Sequence, residues 1–257
     1  MSVPGIVVHR DADVLAKAVA ARIITRLVDV QSAKGSASIV LTGGTVGIAT
    51  LAAIAATPAR DAVDWRRLDI WWGDERFLPD GDKERNETGA RAALLDHVDV
   101  DPARVHVMRG PDSGMTAEES ADAYAAELRA AARPEDHGPV PSFDVMLLGM
   151  GPDSHVASLF PGMPALYDTR PVVAVHGSPK PPPTRISLTL PAIQASREVW
   201  VVAAGEEKSG AVRLALSESG PVQVPAAGAR GRGRTLFLLD RAAAGKIPPG
   251  LGRIASP

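Results

Sequence analysis

Short apolar runs alternate with alanine-rich amphipathic stretches along almost the whole chain. A short apolar run bounded by turn residues is typical of a buried strand, whereas apolar positions three and four residues apart are typical of a helix. The apolar runs predict strands at residues 6–8, 38–41, 68–72, 105–108, 143–148, 172–175, 186–188, 198–203 and 235–239. The amphipathic stretches predict helices at residues 15–27 (capped by Asp11 or Asp13), 48–54, 87–95, 117–132 and 206–216. This alternation predicts an α/β fold with a mainly parallel sheet and helices on both faces, a Rossmann-like layered architecture.

Composition narrows the class of protein. The 257 residues are 45% apolar and 23% charged, with a formal net charge of −2, which is typical of a globular protein. No repeat or long linker divides the chain, so we expect a single domain over residues 1–257. The near-neutral charge argues against a nucleic-acid partner. The absence of cysteine, of a leader-like N-terminus and of a membrane-length apolar run predicts a cytoplasmic protein without a membrane partner.

A glycine pair follows the second predicted strand, in the sequence Thr42-Gly43-Gly44-Thr45. The free N–H groups and the positive dipole end of a helix N-terminus form a phosphate cradle, which glycines let an anion approach closely. The hydroxyl of Thr45 could donate a further hydrogen bond. The alternative is that the glycine pair only forms a tight turn. The pattern matches neither the Walker motif nor the dinucleotide fingerprint, so it favours a monophosphate over a nucleotide.

Charged residues follow the third predicted strand, in the sequence Gly73-Asp74-Glu75-Arg76, which we interpret as part of a loop over residues 72–79 that extends to residues 85–87. The planar fork of Arg76 suits a phosphate, and Asp74 suits sugar hydroxyls or a proton. The alternative is a solvated loop with internal ion pairs.

The most informative segment is residues 149–162, GMGPDSHVASLFPG, which follows the predicted strand at 143–148. Ligands of open α/β sheets bind at the carboxyl ends of strands. The segment presents Asp153 and His155, and an imidazole there can move protons near neutral pH. The other histidines lack metal-ligand spacing, so no metal site is predicted. Two later segments add cations, at residues 180–189 and at Lys208, which lies at the start of a predicted helix; an exposed helix lysine is the alternative for Lys208.

Together these motifs resemble the 6-phosphogluconolactonase family, over nearly the whole chain and in order. The resemblance rests on residues 42–45, 73–76, 149–162 and 180–191. It implies hydrolysis of 6-phospho-D-glucono-1,5-lactone to 6-phosphogluconate, the second step of the pentose phosphate pathway, without a required cofactor. It also implies a fold shared with glucosamine-6-phosphate deaminases and ribose-5-phosphate isomerase. The expected partner is a small sugar-phosphate lactone, and the expected state is a monomer.

The chain departs from the family pattern at three places. Family members usually have glycine at the position of Ser154, often serine-threonine-proline at residues 45–47, and commonly serine at the position of Arg85. A serine in a glycine position carries strain only if its φ is positive. The departures affect the expected phosphate geometry more than the expected reaction.

The residue roles follow from the chemistry of a lactone, whose carbonyl an activated water can attack directly. We expect His155 to take the proton of the water and return one to the ring oxygen. Asp153 is expected to orient the loop or the imidazole, and Asp74 to position sugar hydroxyls. Arg185 is expected either to complete the anion site or to polarise the carbonyl. The expected phosphate ligands are Gly43, Gly44, Thr45, Arg76 and Lys208.

Two other functions are alternatives to lactone hydrolysis. A sugar-phosphate isomerase or deaminase resembles the chain in the glycine loop and in Asp74. However, deaminases typically have tyrosine where Arg76 stands and a glutamate shortly after the histidine, where residues 157–160 carry no carboxylate here. A non-catalytic sugar-phosphate sensor of the kind attached to transcriptional regulators would need a DNA-binding module, which we do not expect before the strand at Ile6. A free-standing sensor without such a module stays an alternative, because a sequence does not demonstrate turnover.

Overall fold

A seven-stranded parallel sheet forms the centre of the protein. The computed structural model describes residues 3–217, 219–248 and 253–254. The sheet contains β1 (Gly5–His9), β2 (Ala37–Leu41), β3 (Leu68–Trp72), β5 (Val145–Gly149), β8 (Glu198–Ala203), β9 (Arg234–Asp240) and β10 (Arg253–Ile254). Its order is β10-β1-β9-β8-β5-β2-β3, and every strand pair is parallel. The predicted α/β class with a mainly parallel sheet is therefore confirmed.

Helices cover both faces of this sheet, as predicted. They are α1 (Ala12–Lys34), α2 (Gly44–Ala56), α3 (Asn86–Ala93), α4 (Ala117–Ala131), α5 (Leu190–Gln194), α6 (Ser209–Ala215) and α7 (Pro225–Gly228). Side chains of the strands alternate between two apolar clusters, because successive strand residues point to opposite faces. Leu147 packs with α1–α3 on one face, and Leu148 packs with α4–α7 on the other. Of the two predicted caps, Asp11 is the one that accepts the N–H of Val14.

The direction of strand addition reverses between β2 and β5. From β2 the chain adds β3 on one side, whereas from β5 it adds β8 and then β9 on the other. Such a switch point leaves a crevice at the carboxyl ends of the two diverging strands, where ligands of open α/β sheets bind. The Gly149 N–H at the end of β5 donates to Thr42 Oγ1 just after β2, at 3.1 Å. The first and third predicted loops are thus held side by side.

A second, three-stranded sheet lies over this crevice. It consists of β4 (Asp74–Arg76), β7 (Arg185–Leu188) and β6 (Val172–Val175), in antiparallel pairs. The prediction of a loop over residues 72–79 is therefore wrong for residues 74–76. Three consecutive charges argue against a strand in sequence. Here β7 supplies the backbone partners, and the side chains of Asp74 and Arg76 line the ligand crevice.

Two further differences concern local structure. The prediction of a strand at residues 105–108 is wrong, because only Val105 makes a single bridge, to Ile70 at the edge of the sheet. The predicted helix at 206–216 begins as a 3₁₀ turn at Glu206–Lys208 before α6. No helix among the described residues has the length and apolarity that crossing a membrane requires.

Candidate active site

One cleft of about 340 Å³ at the switch point brings the predicted residues together. Eight of the nine predicted site residues line it: Gly43, Gly44, Thr45, Asp74, Arg76, His155, Arg185 and Lys208. The ninth, Asp153, contacts the imidazole of His155. These residues come from five separate parts of the chain. Their convergence therefore follows from the order of the strands in the sheet and not from local sequence.

The glycine loop forms an open helix N-terminus at one end of the cleft. Gly43 caps α2, and within the described part of the chain no side chain accepts a hydrogen bond from its first turn. Gly44 has φ of +76°, a conformation that favours glycine. The first amides of a 13-residue helix therefore face the cleft with the positive end of its dipole.

A close contact with the Asn86 side chain favours glycine at position 43. A Cβ on Gly43 would lie 1.9 Å from Asn86 Oδ1. The other amide atom, Asn86 Nδ2, donates to the backbone oxygen of Asp74 at 2.8 Å and lies 3.4 Å from its carboxylate. Asn86, which our sequence reasoning did not assign to the site, thus joins the glycine loop to Asp74. A buried asparagine at the start of a helix is a weak signal for such a role.

Four cations border the cleft: Arg76, Lys180, Arg185 and Lys208. Arg76 and Arg185 are directly opposite each other in the β4–β7 pair. Arg76 donates through Nη1 to the backbone oxygen of Glu84. Arg185 donates through Nε to the oxygen of Pro182 and through Nη2 to the oxygens of Lys180 and Pro181. Lys208 is half-buried, and that burial lowers the pKa of its ammonium. Like charges opposed across a ladder repel, so this arrangement favours an anion between them.

His155 and Asp153 form an oriented pair at the other end. Asp153 Oδ1 lies 2.5 Å from His155 Nδ1. A carboxylate accepts the Nδ1–H proton, which leaves the Nε2 lone pair available as a base. Burial lowers the pKa of His155, against the opposing effect of the Asp153 carboxylate. Burial acts to raise the pKa of Asp153, but the hydrogen bond from His155 and the charges of His155 and Lys180 together outweigh it, so the pKa is lowered. The pair is therefore suited to accept a proton at neutral pH.

Asp74 lies buried between the two ends of the cleft. Its Oδ2 accepts a hydrogen bond from Ser158 Oγ at 2.7 Å. Ser158 is held in turn through its N–H, which donates to Ser187 Oγ at 3.1 Å. Sequence reasoning missed Ser158, although it stands three residues after His155 in the most informative motif. These two hydrogen bonds fix the orientation of the Asp74 carboxylate toward the cleft.

Glu75 points away from the cleft and holds the start of α3. Its carboxylate accepts the backbone N–H groups of Arg76, Asn86 and Glu87. Burial raises the pKa of Glu75 to about 7, although these N–H groups act to lower it. This carboxyl therefore anchors two residues that line the cleft, Arg76 and Asn86.

The raised pKa of Glu75 predicts a pH-dependent stability. An unfolded glutamate releases its proton near pH 4.3, whereas the folded carboxyl keeps it until about pH 7. The folded state thus binds more protons between these values. The free energy of unfolding should fall through this window as pH rises, by at most about 1.4 kcal/mol per pH unit. Urea unfolding at pH 5, 6, 7 and 8 measures the slope. Glu75→Gln should flatten it, whereas the exposed control Glu206→Gln should leave it unchanged; equal slopes in all three would refute the assignment.

Arg85, a departure from the family pattern, serves the surrounding loops. Its buried guanidinium donates to the backbone oxygens of Leu78 and Met108 and forms ion pairs with Asp80 and Glu87. It does not line the cleft. The residue thus fastens the segment after β4 to the segment near Met108.

Two residues other than glycine in the 149–162 segment have left-handed backbone conformations. Ser154 has φ of +68° and Ala157 has φ of +51°. Because the φ of Ser154 is positive, this serine carries the backbone strain expected for a residue with a Cβ in a glycine position. Hydrogen bonds hold the turn, because the N–H of Ser154 donates to Gly151 and the N–H of Ala226 donates to the oxygen of Ser154. Left-handed conformations of residues with a Cβ cost about 1–2 kcal/mol and are often found at functional sites.

A matched pair of alanine-to-glycine changes tests this strain. Ala157→Gly should raise the free energy of unfolding by about 1 kcal/mol, because glycine adopts positive φ without the Cβ clash. Ala126→Gly, at an exposed position of α4, should lower it by about 1 kcal/mol. Chemical denaturation of both variants gives the comparison. A loss of stability in both would contradict the strain at residue 157.

Among the described residues, no group of three His, Asp or Glu side chains is arranged to hold a metal ion. The prediction that no metal or cofactor takes part stays a prediction. The chemistry available from the described side chains is general acid–base catalysis beside an anion site.

The fold and the cleft define an α/β protein with its ligand site at the switch point of a parallel sheet. The model of the glucosamine-6-phosphate isomerases/6-phosphogluconolactonase family matches residues 10–237, and the chain belongs to this family. It is 62% identical to the 6-phosphogluconolactonase of Streptomyces coelicolor over 96% of each chain. It is 50% identical to the 6-phosphogluconolactonase of Mycobacterium tuberculosis, over 93% of this chain and 96% of that one.

A solved structure extends the similarity to three dimensions. The 6-phosphogluconolactonase of Trypanosoma brucei superposes with a TM-score of 0.82 at 31% identity, over 95% of this chain and 99% of that one. The family resemblance predicted from the motifs is confirmed.

Proposed function

We propose that this protein hydrolyses 6-phospho-D-glucono-1,5-lactone to 6-phospho-D-gluconate, in the oxidative pentose phosphate pathway. The observation that carries the proposal is one cleft with an anion cradle at one end and the His155–Asp153 pair at the other. The relatives named above support the same reaction.

Hydrolysis begins with a water molecule at His155 Nε2. The imidazole takes a proton from the water as its oxygen bonds to the lactone carbonyl carbon, and the carbonyl electrons move onto the oxygen. Collapse of this intermediate breaks the bond between the carbonyl carbon and the ring oxygen. The imidazolium returns its proton to that oxygen, and the new carboxylic acid releases a proton to solvent. No covalent intermediate with the protein is needed, because a lactone is already electrophilic.

The phosphate-binding end of the cleft orients the substrate. We assign Gly43, Gly44, Thr45, Arg76 and Lys208 to the phosphate, through helix N–H groups, a hydroxyl and two cations. Fixing the distal phosphate holds the lactone carbon near His155 and so uses binding energy for positioning. We assign Asp74 to sugar hydroxyls, and Arg185 to the edge of the anion site.

A coupled assay tests the reaction. Freshly generated lactone is the substrate, 6-phosphogluconate dehydrogenase reports the product, and spontaneous hydrolysis is subtracted. Glucosamine-6-phosphate runs in parallel as the substrate of the deaminase alternative. We expect acceleration with the lactone only. Absence of acceleration with the lactone would refute the proposal, and binding of sugar phosphates without turnover would favour the sensor.

The molecular context is part of the same proposal. We infer a single-domain monomer in the cytoplasm, with no nucleic-acid partner. The net charge of −2 supports the absence of a nucleic-acid partner, and the absence of cysteine fits the cytoplasm. Sedimentation equilibrium measures the oligomeric state.

A further inference from the structure

Lys180 contacts both members of the His155–Asp153 pair. Its Nζ lies 3.5 Å from His155 Nδ1 and 3.7 Å from Asp153 Oδ1. We propose that Lys180 is a positioning residue for hydrolysis, which keeps His155 in the neutral form that accepts a proton and keeps Asp153 charged. The inference rests on the proposed function, and it adds a residue to which we had given no role.

The backbone that carries Lys180 is fixed from several sides. Arg185 donates to the backbone oxygens of Lys180 and Pro181, and Ser178 Oγ donates to the oxygen of Lys180. The Lys180 N–H lies 3.3 Å from Ser178 Oγ, and the Ser178 N–H donates to the oxygen of Pro183. A surface loop with this many internal bonds holds its lysine in one place. Arg185, buried under the loop, thereby acts on the site through Lys180.

The charges around His155 oppose one another. Burial disfavours the imidazolium most strongly; Asp153 on its own loop and Asp74 on β4 favour it, whereas Lys180 disfavours it. Arg185 on β7 lies over the ring of Phe160, which packs against the imidazole. Without Lys180 two carboxylates would favour protonation of the base. The Lys180 ammonium offsets the charge of the nearer carboxylate, Asp153. Because the Lys180 side chain is 40% exposed, solvent screens its charge and its effect on the pKa of His155 is only moderate.

A pH profile separates this role from a structural one. In Lys180→Met the acid limb of kcat/KM should move to higher pH by about 0.5 to 1 unit. Activity below the limb should then fall about three- to tenfold, whereas activity on the plateau changes less. Lys180→Arg keeps the charge and should keep the limb near its original pH. A loss of activity that is equal at every pH would overturn the proposal.

Two further variants fix the sign of the effect. Lys208→Met removes another cleft lysine that does not contact the pair, so it should raise KM and leave the acid limb in place. Asp153→Asn removes the opposing charge and should move the limb to lower pH. If the acid limb of kcat/KM moved equally in Lys180→Met and Lys208→Met, the shift would come from the total positive charge of the cleft and not from the contact of Lys180 with His155. That result would also overturn the proposal.

A measurement without substrate distinguishes this inference from the proposed function. Titration of the His155 ring by ¹H–¹³C NMR follows its protonation directly, with the signal assigned by its loss in His155→Gln. The titration midpoint should rise by about 0.5 to 1 pH unit in Lys180→Met or Lys180→Gln and stay in place in Lys180→Arg. An unchanged midpoint in folded Lys180→Met and Lys180→Gln refutes the role of Lys180, whereas an inactive wild type with a shifted midpoint refutes only the assigned reaction.

Discussion

Replacing His155 by alanine should lower kcat by about 10²- to 10⁴-fold, the range that general acid–base catalysis by one side chain supplies. KM should change little, because His155 lies at the opposite end of the cleft from the phosphate cradle in our assignment. The coupled lactone assay, corrected for spontaneous hydrolysis, measures both constants.

The matched control for this change is His176→Ala. His176 is exposed and pairs with Glu118 on the surface, outside the cleft. It should retain the wild-type kcat. Equal kcat in His155→Ala and the wild type would remove the imidazole from the mechanism and leave the anion site as the main source of any acceleration.

Replacing Arg76 by alanine should act on KM instead. A charged hydrogen bond to an anion contributes about 1.5–3 kcal/mol. KM for the lactone should therefore rise about 10- to 100-fold, with kcat within a few-fold of wild type. Arg76→Lys keeps the charge but loses the planar fork, so its KM should lie between the two. Steady-state kinetics over a wide lactone range provides the values.

Arg66 is the matched arginine control, since it is exposed and pairs with Asp99 outside the cleft. Arg66→Ala should leave KM unchanged. If Arg76→Ala lowered kcat and left KM intact, Arg76 would act on the reacting carbonyl, and the two ends of the cleft would have to be exchanged.

Much of the fold could be predicted from hydrophobic patterning alone. Residues 198–203 form a strand with the predicted bounds, because parallel strands buried on both faces read as continuous apolar runs. Residues 172–175 also have the predicted bounds, although their strand lies in the antiparallel sheet. Strand β4 could not be predicted, because its charges are compatible with a strand only beside β7, more than a hundred residues later. At residues 105–108 the apolar residues pack against the core without a partner strand beyond a single bridge.

The site was predictable as a set of loops and less so as a set of contacts. Loops after neighbouring parallel strands meet at one edge, so the convergence of Gly44, Asp74 and His155 follows from the fold class. Contacts such as Lys180 with His155 depend on the path of a proline-rich loop, which no periodicity describes. The motif alone also offered no means to tell whether Ser154 had ordinary or positive φ.

The contact between Gly43 and Asn86 restricts the order in which mutations can accumulate. An alanine at position 43 would overlap the Asn86 amide, so the Asn86 side chain would have to move away or residue 86 would have to become smaller. Either change would weaken or remove the hydrogen bond from residue 86 to Asp74. A protein that evolved through these changes would first have a less firmly held Asp74, before the new residue in the glycine loop could bring any advantage. Changes in this part of the cleft should therefore arise in pairs, and laboratory evolution toward other sugar phosphates should randomise both codons together.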